Sequence, residues 1–212
     1  RDPVTGADVS EKNTWRADVI VDTSLTENAG KRNYRDVALF FQDEDNIIGT
    51  AFMPYVQNVA GLTSVNYRAE PYKFREQQGC SLGKIFQPCA VDKPEDPITP
   101  LIEAHAGDAI RIHVIGANSE QNGMFGVEGH EWPIEPYMPG ADMISVVEYA
   151  GSETLDVFIR GGAGGPYRQV GDFVWSNARL PRARPGQWGY LRVWPAGDPR
   201  IPPLGAAGMG AK

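Results

Sequence analysis

The sequence contains few of the side chains that hold transition metals. Its 212 residues include two cysteines and three histidines, and no two histidines form a His-x-His pair. A tetrahedral zinc site needs about four nitrogen, sulfur or oxygen ligands, which two cysteines alone do not supply. The composition therefore gives no sign of a metal centre built from a dense motif of ligands.

Long apolar runs and an excess of basic residues are also lacking. No apolar run reaches the roughly 18 residues that a membrane-spanning helix requires. Lys and Arg number 20 against 27 Asp and Glu, which gives a formal net charge of -7. Nucleic-acid binding needs a concentrated basic face. We therefore predict neither a membrane span nor a nucleic-acid partner.

The two cysteines and the first residue give information about the cellular compartment of the protein. Cys80 and Cys89 lie close together in the sequence, and we favour a disulfide between them over two free thiols. A disulfide would indicate an oxidising compartment. The first residue is Arg1 and the first methionine is Met53. We expect a mature or cleaved product from which a signal peptide could have been removed, and an extracellular or periplasmic location.

Short extended runs dominate the sequence from residue 97 onward. Gly, Pro or Asp separates almost all of them, as is typical of turns between short strands. In one run, Ile110, Ile112 and Val114 alternate with polar residues, which predicts one buried face of a strand. Seven such runs predict a β-sandwich. They cover residues 101–105, 109–115, 125–128, 143–149, 152–159, 171–175 and 189–194.

The chain divides into three parts by composition. Residues 1–96 contain three further candidate strands and a Pro-rich connector, and residues 195–212 form a tail rich in Gly, Ala and Pro. We predict a sandwich domain over residues 97–194 between them. The three candidate strands cover residues 15–21, 34–42 and 63–68.

Three stretches of the predicted domain resemble a cupredoxin domain of the multicopper oxidases. Residues 99–112 read as a strand, an Ala-Gly-Asp turn and a second strand. Residues 123–132 (GMFGVEGHEW) look like the family's His-Pro-x-His-x-His-Gly-His-x-Phe segment. Residues 171–193 look like its final copper segment, a Tyr-His-Cys-His run followed by Glu-x-Gly-Met and a closing strand. The resemblance implies an all-β fold, a cupredoxin-like Greek-key β-sandwich.

The amino-terminal part carries a second resemblance. Residues 1–6 (RDPVTG), 34–42 and 65–71 are similar to segments that join cupredoxin domains in large bacterial multicopper oxidases, including manganese-oxidase-like ones. This resemblance implies that residues 1–96 are a β-rich interdomain segment. It also implies that the chain is the downstream portion of something larger.

The same resemblance implies that the family's copper ligands are absent. Matching Pro185-Gly186-Gln187 to the family's Ala-Gly-Met puts Gln187 at the axial methionine and Asn177 at the cysteine. The remaining ligand positions fall on residues that do not supply an imidazole: Ser176, Ala178, Arg182, Gly123, Gly126 and Glu128. His130 matches the family histidine that is usually not a ligand. Blue copper needs a thiolate and two imidazoles.

The histidines leave two interpretations open. His113 and His130, with Glu128 or Glu131, could form an atypical metal site, because imidazole and carboxylate suit copper, zinc or iron. Alternatively, each histidine forms hydrogen bonds within a strand or loop. His105 directly precedes the Ala-Gly-Asp turn, and we expect it at a turn or on the surface.

Three functional hypotheses follow. The first is a non-catalytic cupredoxin domain or subunit without a cofactor of its own, packed against copper-bearing cupredoxin domains of a larger assembly. The second is a part of an active oxidase of metal ions or phenols, in which this chain supplies walls of the site across an interface. The third is a stand-alone extracellular binding module. A sandwich fold hosts many activities, so the site has to decide among them.

Overall fold

In a computed structural model of the protein, the described residues form two β-sheets and a short hairpin. The structure describes residues 15–42, 63–77, 79–80, 84–86, 96–117 and 121–205. Residues 1–6, which carry part of the resemblance to an interdomain segment, lie outside these residues. Among the described helices, none is both long enough and apolar enough to cross a membrane.

The first sheet combines strands from both sides of residue 97. Its order is β1-β2-β5-β10, and β3 pairs with the far end of β2. The pairing of β2 with β5 is parallel, and the other pairings in this sheet are antiparallel. The strands are β1 (Arg16–Val19), β2 (Tyr34–Gln42), β3 (Ser64–Val65), β5 (Ile110–Ala117) and β10 (Thr154–Phe158).

The second sheet contains the segments that resemble the copper-binding motifs. Its order is β4-β12-β11-β6-β9, with β4 parallel to β12 and the other pairs antiparallel. Its strands are β4 (Ile102–His105), β6 (Gly123–Val127), β9 (Val146–Tyr149), β11 (Gly171–Asn177) and β12 (Trp188–Trp194). A separate hairpin pairs β7 (Trp132–Pro133) with β8 (Met143–Ile144).

A single apolar core lies between the two sheets. Alternating side chains of β2 and β5 face inward and pack with side chains of β4, β6, β11 and β12. The ring of Phe41 lies at the centre and contacts Phe125, Tyr149 and Trp175 at centroid distances of 5.8, 5.1 and 6.2 Å. Such edge-to-face and tilted ring pairs add to the energy of apolar burial.

Part of the outer face of the second sheet is covered by the chain itself. Tyr72 of α1 (Tyr72–Gln77) and Ile85 pack against Trp188 and Tyr190 of β12. The indole N–H of Trp188 donates to the Glu70 carbonyl oxygen at 2.6 Å. This cover ends beside β11, where a second short helix, α2 (Leu180–Ala183), follows the strand.

A buried arginine ties β1 and the segment around Pro202 to the sandwich. Arg35 of β2 forms ion pairs with Asp18 of β1 at 3.1 Å and with Asp108 at 2.8 Å. It also donates to the carbonyl oxygen of Pro202 at 2.9 Å. Residues 195–205 therefore pack on the sandwich, and the guanidinium of Arg200 lies 3.5 Å from the Trp194 ring centroid.

The predicted strands compare well with the observed ones. The strand at residues 34–42 has the predicted bounds, and each of the seven runs after residue 97 overlaps an observed strand. Neither short helix was predicted, since both are too short for a helical period to show. Strands from both sides of residue 97 share one sheet and one core. The division at residues 96 and 97 stays a prediction about the organisation of the chain.

Candidate functional site

Two residues at predicted copper-ligand positions meet where β11 leads through α2 into β12. Asn177 ends β11, and Gln187 directly precedes β12. The Asn177 backbone N–H donates to the Gln187 carbonyl oxygen at 3.0 Å, which sets the two side chains next to each other. Both are buried, with 2% and 1% of their surfaces exposed, so their polar atoms need partners within the protein.

The side-chain amide of Asn177 is fully engaged. Its Oδ1 accepts from the backbone N–H groups of Met124 at 3.2 Å and Arg179 at 3.1 Å. Its Nδ2 donates to the Tyr149 hydroxyl at 3.1 Å and to Gln187 Oε1 at 2.8 Å. An asparagine amide has two donor hydrogens and two acceptor lone pairs, and all four are used here.

Gln187 extends this network to the other sheet. Its Nε2 donates to the carbonyl oxygens of Gln42 in β2 at 2.7 Å and of Ser64 in β3 at 3.4 Å. We call Tyr149, Asn177 and Gln187 the amide cluster. It is uncharged and connects the two sheets through hydrogen bonds, so it adds specific contacts without the cost of burying a charge.

An aromatic ring fills the space next to Gly123, a further predicted ligand position. A β-carbon added to Gly123 would lie 2.1 Å from Cζ and 2.2 Å from the hydroxyl oxygen of Tyr149. Real carbon atoms do not approach so closely, so any side chain at this position would displace the tyrosine. The amide cluster therefore occupies the room that an imidazole at position 123 would need.

The amide cluster does not fit a blue copper ion. Its members offer amide and phenol groups, and neither a thiolate nor an imidazole. Amide nitrogens have no lone pair for a metal, and the amide oxygens already accept hydrogen bonds. Arg182, at another predicted ligand position, is a buried cation in α2. These residues have no chemistry with which to hold such an ion.

Other predicted ligand positions line a groove on the outer face of the second sheet. The groove has a volume of about 400 Å³. Ser176 lies directly opposite Gly126 in the pairing of β11 with β6, and both line it together with Glu128 and Ala178. The cover over β12 supplies Tyr72 and Phe86 as one wall, with ring centroids 5.5 Å apart.

His113 lies in a different place, on the outer face of the first sheet. Its Nδ1 is 2.6 Å from Asp156 Oδ1 of β10, and its Nε2 is 3.0 Å from Asp36 Oδ1 of β2. Arg111 binds both oxygens of Asp36, at 2.9 and 2.7 Å. The hydroxyl of Tyr137 donates to the second oxygen of Asp156 at 2.8 Å. We call these five residues the ionic network.

Within the ionic network, neighbouring charged groups shift the pKa values of His113 and Asp36. The hydrogen bond to Asp36 raises the pKa of His113, although burial acts in the opposite direction. Burial raises the pKa of Asp36, but the hydrogen bonds from His113 and Arg111 outweigh it and lower the pKa to about 2. Since carboxylates only accept hydrogen bonds, both ring nitrogens of His113 act as donors and the ring is an imidazolium.

His130 is a buried, neutral histidine. Its Nδ1 donates to the Glu128 carbonyl oxygen at 2.7 Å, and its Nε2 accepts from the Gly164 backbone N–H at 3.1 Å. Burial lowers its pKa. The ring also contacts Phe173 edge-on, at a centroid distance of 4.7 Å. His130 thus holds the glycine-rich loop at residues 161–165 against the sandwich.

Both ring nitrogens of His113 and of His130 therefore have protein partners. Among the described residues, no group of three or more His, Cys, Asp or Glu side chains is arranged to hold a metal ion. Metal binding by this pair stays a prediction, and it would require displacement of these partners. His105, expected at a turn or on the surface, is buried at the end of β4, where Nε2 lies 2.9 Å from the Asp198 carbonyl oxygen.

The predicted disulfide involves one described cysteine. Cys80 is buried beside the cover of β12, with 6% of its surface exposed. Cys89 lies outside the described residues, so the pairing of Cys80 with Cys89 stays a prediction.

Sequence reasoning did not identify three residues that define the two polar clusters. Tyr149 completes the amide cluster, and Asp36 and Asp156 bracket His113. Side chains alternate between the two faces of a strand, so the sequence could have shown on which face of β2 Asp36 lies and on which face of β10 Asp156 lies. Which strand lies beside β5 is a matter of tertiary pairing, and the sequence carries no local signal for it.

Comparisons with known proteins point to the fold. No protein-family model and no curated protein matches the sequence. Among solved structures, the multicopper oxidase mgLAC matches with a TM-score of 0.50 and 15% identity, over 74% of this chain and 43% of that chain. A blue copper oxidase from Nitrosomonas europaea matches with a TM-score of 0.48 and 15% identity, over 74% of this chain and 43% of that one.

A copper-containing nitrite reductase from Thermus scotoductus matches with a TM-score of 0.45 and 16% identity, over 80% of this chain and 32% of that chain. The chain thus spans less than half the length of these structures. At such identities the likeness concerns the fold alone. The predicted all-β sandwich is confirmed, and the chain has a cupredoxin fold like that of multicopper oxidase domains.

Proposed function

We propose that this chain is a non-catalytic, copper-free cupredoxin domain or subunit. It would pack against copper-bearing cupredoxin domains of a larger multicopper-oxidase-like assembly, outside the cell or in the periplasm. The observation that carries the proposal is the amide cluster. Asn177 and Gln187, at the predicted cysteine and axial positions, are buried and hydrogen-bonded to each other at 2.8 Å.

The rest of the sandwich supports a structural role. Its core is built from both sheets, and the amide cluster connects them through Gln42 and Ser64. A cupredoxin scaffold is thus stabilised by neutral side chains at the place where the family's chemistry would be. Copper-bearing partners would have to supply the thiolate and the imidazoles.

Oxidase assays of the purified chain test this proposal. We expect no oxidation of phenols, ferrous ions or manganous ions above the rate of buffer with the same added copper. In native extracts we expect the chain to co-purify with a larger polypeptide that contains His-x-His and Cys ligands. Turnover by the isolated chain, or a stable monomer without a copper-bearing partner in native extracts, would contradict the proposal.

The groove favours a second candidate function, in which the chain supplies one wall of an oxidase site across an interface. Glu128 and Ser176 line this groove and are the polar groups that such a wall would present. In an isolated active assembly, Glu128→Gln should then change KM for a metal or phenol substrate. Unchanged kinetics would remove this candidate and leave the structural role.

A further inference from the structure

The groove on the outer face of the second sheet combines a floor of small residues, apolar and aromatic sides, and one carboxylate. Its floor is formed by Gly126 and Ser176, which face each other across β6 and β11 and carry little or no side chain. Larger apolar groups flank this floor, namely Tyr72 and Phe86 on the side of the cover and Leu180 on α2. A volume of about 400 Å³ lies within the range of small-molecule sites.

Glu128 is the single charged residue among those that line the groove. Its side chain is exposed, and its carboxylate forms no hydrogen bond or ion pair within the described part of the chain. The nearby carboxylates differ in this respect, since Glu131 pairs with Arg160 and Glu148 accepts from Asn122. The Glu128 carboxylate therefore lies at the groove without an ion-pair partner among the described residues.

The aromatic wall adds to the preference for a cation. The faces of aromatic rings carry partial negative charge and attract ammonium and guanidinium groups. Tyr72 and Phe86 meet edge to face, so the pair presents ring faces in two directions. An apolar stem can pack against Leu180 and the small floor, while hydroxyl groups of Ser145 and Ser176 are available for hydrogen bonds.

We propose that this groove binds an ammonium or guanidinium group carried on a short apolar stem. The charged group pairs with Glu128, and the stem lies on the floor between β6 and β11 against the aromatic wall. Such a group occurs in free aryl-alkylamines and in lysine or arginine side chains. The inference concerns the isolated chain, so it does not depend on the proposed function.

Amide NMR titration of the full chain tests this inference. The probes are phenethylamine, the uncharged analogue 2-phenylethanol, and a lysine blocked at both backbone ends. We expect phenethylamine or the blocked lysine to shift the amide signals of residues 126–128 and 174–178, with affinity that falls as salt is added. We expect 2-phenylethanol to bind about twofold to fivefold more weakly, the range for an exposed charge pair.

Two variants locate the site. Glu128→Gln should weaken amine binding about twofold to fivefold and leave 2-phenylethanol unaffected, since the exposed carboxylate has no partner whose loss would disturb the fold. Glu135→Gln, another exposed glutamate outside the groove, is the control and should change nothing. Ser176→Leu should fill the floor and abolish binding of both amines. If this variant does not fold, Glu128→Gln alone decides.

The outcomes separate the two sources of the cation. Tighter binding of phenethylamine indicates a small-molecule amine, and tighter binding of the blocked lysine indicates a side chain of another polypeptide. Either result supports the site. The inference is wrong if neither amine shifts groove residues, or if Glu128→Gln binds both amines as the unaltered chain does.

Discussion

The amide cluster and the ionic network both connect strands through polar side chains, but the first uses neutral groups and the second uses charged ones. The amide cluster connects the two sheets, whereas the ionic network joins the neighbouring strands β2, β5 and β10 on an outer face. The buried cluster is built from neutral groups that form hydrogen bonds with one another and with the backbone. The ionic network is half-exposed, with 24% of the His113 side chain accessible, and it uses full charges.

Burial explains this difference. An unpaired charge inside a sandwich costs several kcal/mol, whereas a satisfied amide costs little. On the outer face, water and Arg111 offset the cost of placing two carboxylates beside His113. The comparison teaches that stability should be independent of pH at the neutral interior cluster and sensitive to pH at the charged exterior network.

The largest expected effect is in the amide cluster. Asn177→Leu removes the partners of two backbone N–H groups, the Tyr149 hydroxyl and Gln187 Oε1 at once. We expect a loss of about 3 kcal/mol in the free energy of unfolding, measured with urea. Asn122→Leu at an exposed site is the control and should cost less than about 0.5 kcal/mol. A loss below about 1 kcal/mol for Asn177→Leu would contradict the claim that the amide cluster stabilises the fold.

The next effect tests the space beside Gly123. Gly123→Ala forces a methyl group into the ring of Tyr149, and we expect a cost of about 2 kcal/mol in unfolding free energy. The same change in a Tyr149→Leu background should cost clearly less, because the clashing ring is gone. A double-mutant cycle measures this coupling. Additive costs would show that the ring does not fill the position.

The ionic network should give a smaller effect that depends on pH. His113→Gln should lower the free energy of unfolding by about 1 kcal/mol near neutral pH. Because folding raises the pKa of His113, its contribution is complete below the ordinary value and is lost as pH rises through the raised one. Urea unfolding across pH checks the sign. The cost of Asn177→Leu should not vary with pH, and a matching pH dependence of both variants would break the comparison.

Acid acts on the same network through Asp36. Its pKa is lowered to about 2, so its stabilising contribution is present above the ordinary value of 3.8 and is lost as pH falls toward 2. Asp36→Asn should therefore flatten the acid limb of the stability profile. An unchanged acid limb in this variant would assign acid sensitivity to other carboxylates.

The smallest expected change is spectroscopic. Asn177→Cys places a thiol at the position that resembles the copper cysteine, but no imidazole lies among the groups that bond to Asn177. Cupric ions added to this variant should give no intense blue absorption, because the histidine ligands are missing. An intense blue band from copper–thiolate charge transfer would mean that imidazoles reach the site after all.

Local patterns predicted much of the fold. The alternation in β5 predicts one buried face, and aromatic and β-branched residues predict the strand β2; both strands were found close to their predicted bounds. The resemblance identified Asn177 and Gln187 as residues at ligand positions. Their roles could not be predicted, since they depend on Tyr149, Gln42 and Ser64, which are distant in sequence.

The histidines show the same limit. The sequence left a metal site and internal hydrogen bonds as alternatives for His113 and His130, since residue type alone does not reveal partners. The two rings differ because β10 and β2 bring carboxylates to His113, while a turn brings Gly164 to His130. Charge state thus follows from strand pairing.

Copper content after loading tests the central claim most directly. The purified chain is incubated with cupric and with cuprous ions, desalted, and measured by elemental analysis together with its optical spectrum. The account predicts copper far below stoichiometric amounts and no blue absorption. One tightly held copper per chain would contradict the claim that neutral, hydrogen-bonded side chains have replaced the metal site, and it would place the enzyme hypothesis first.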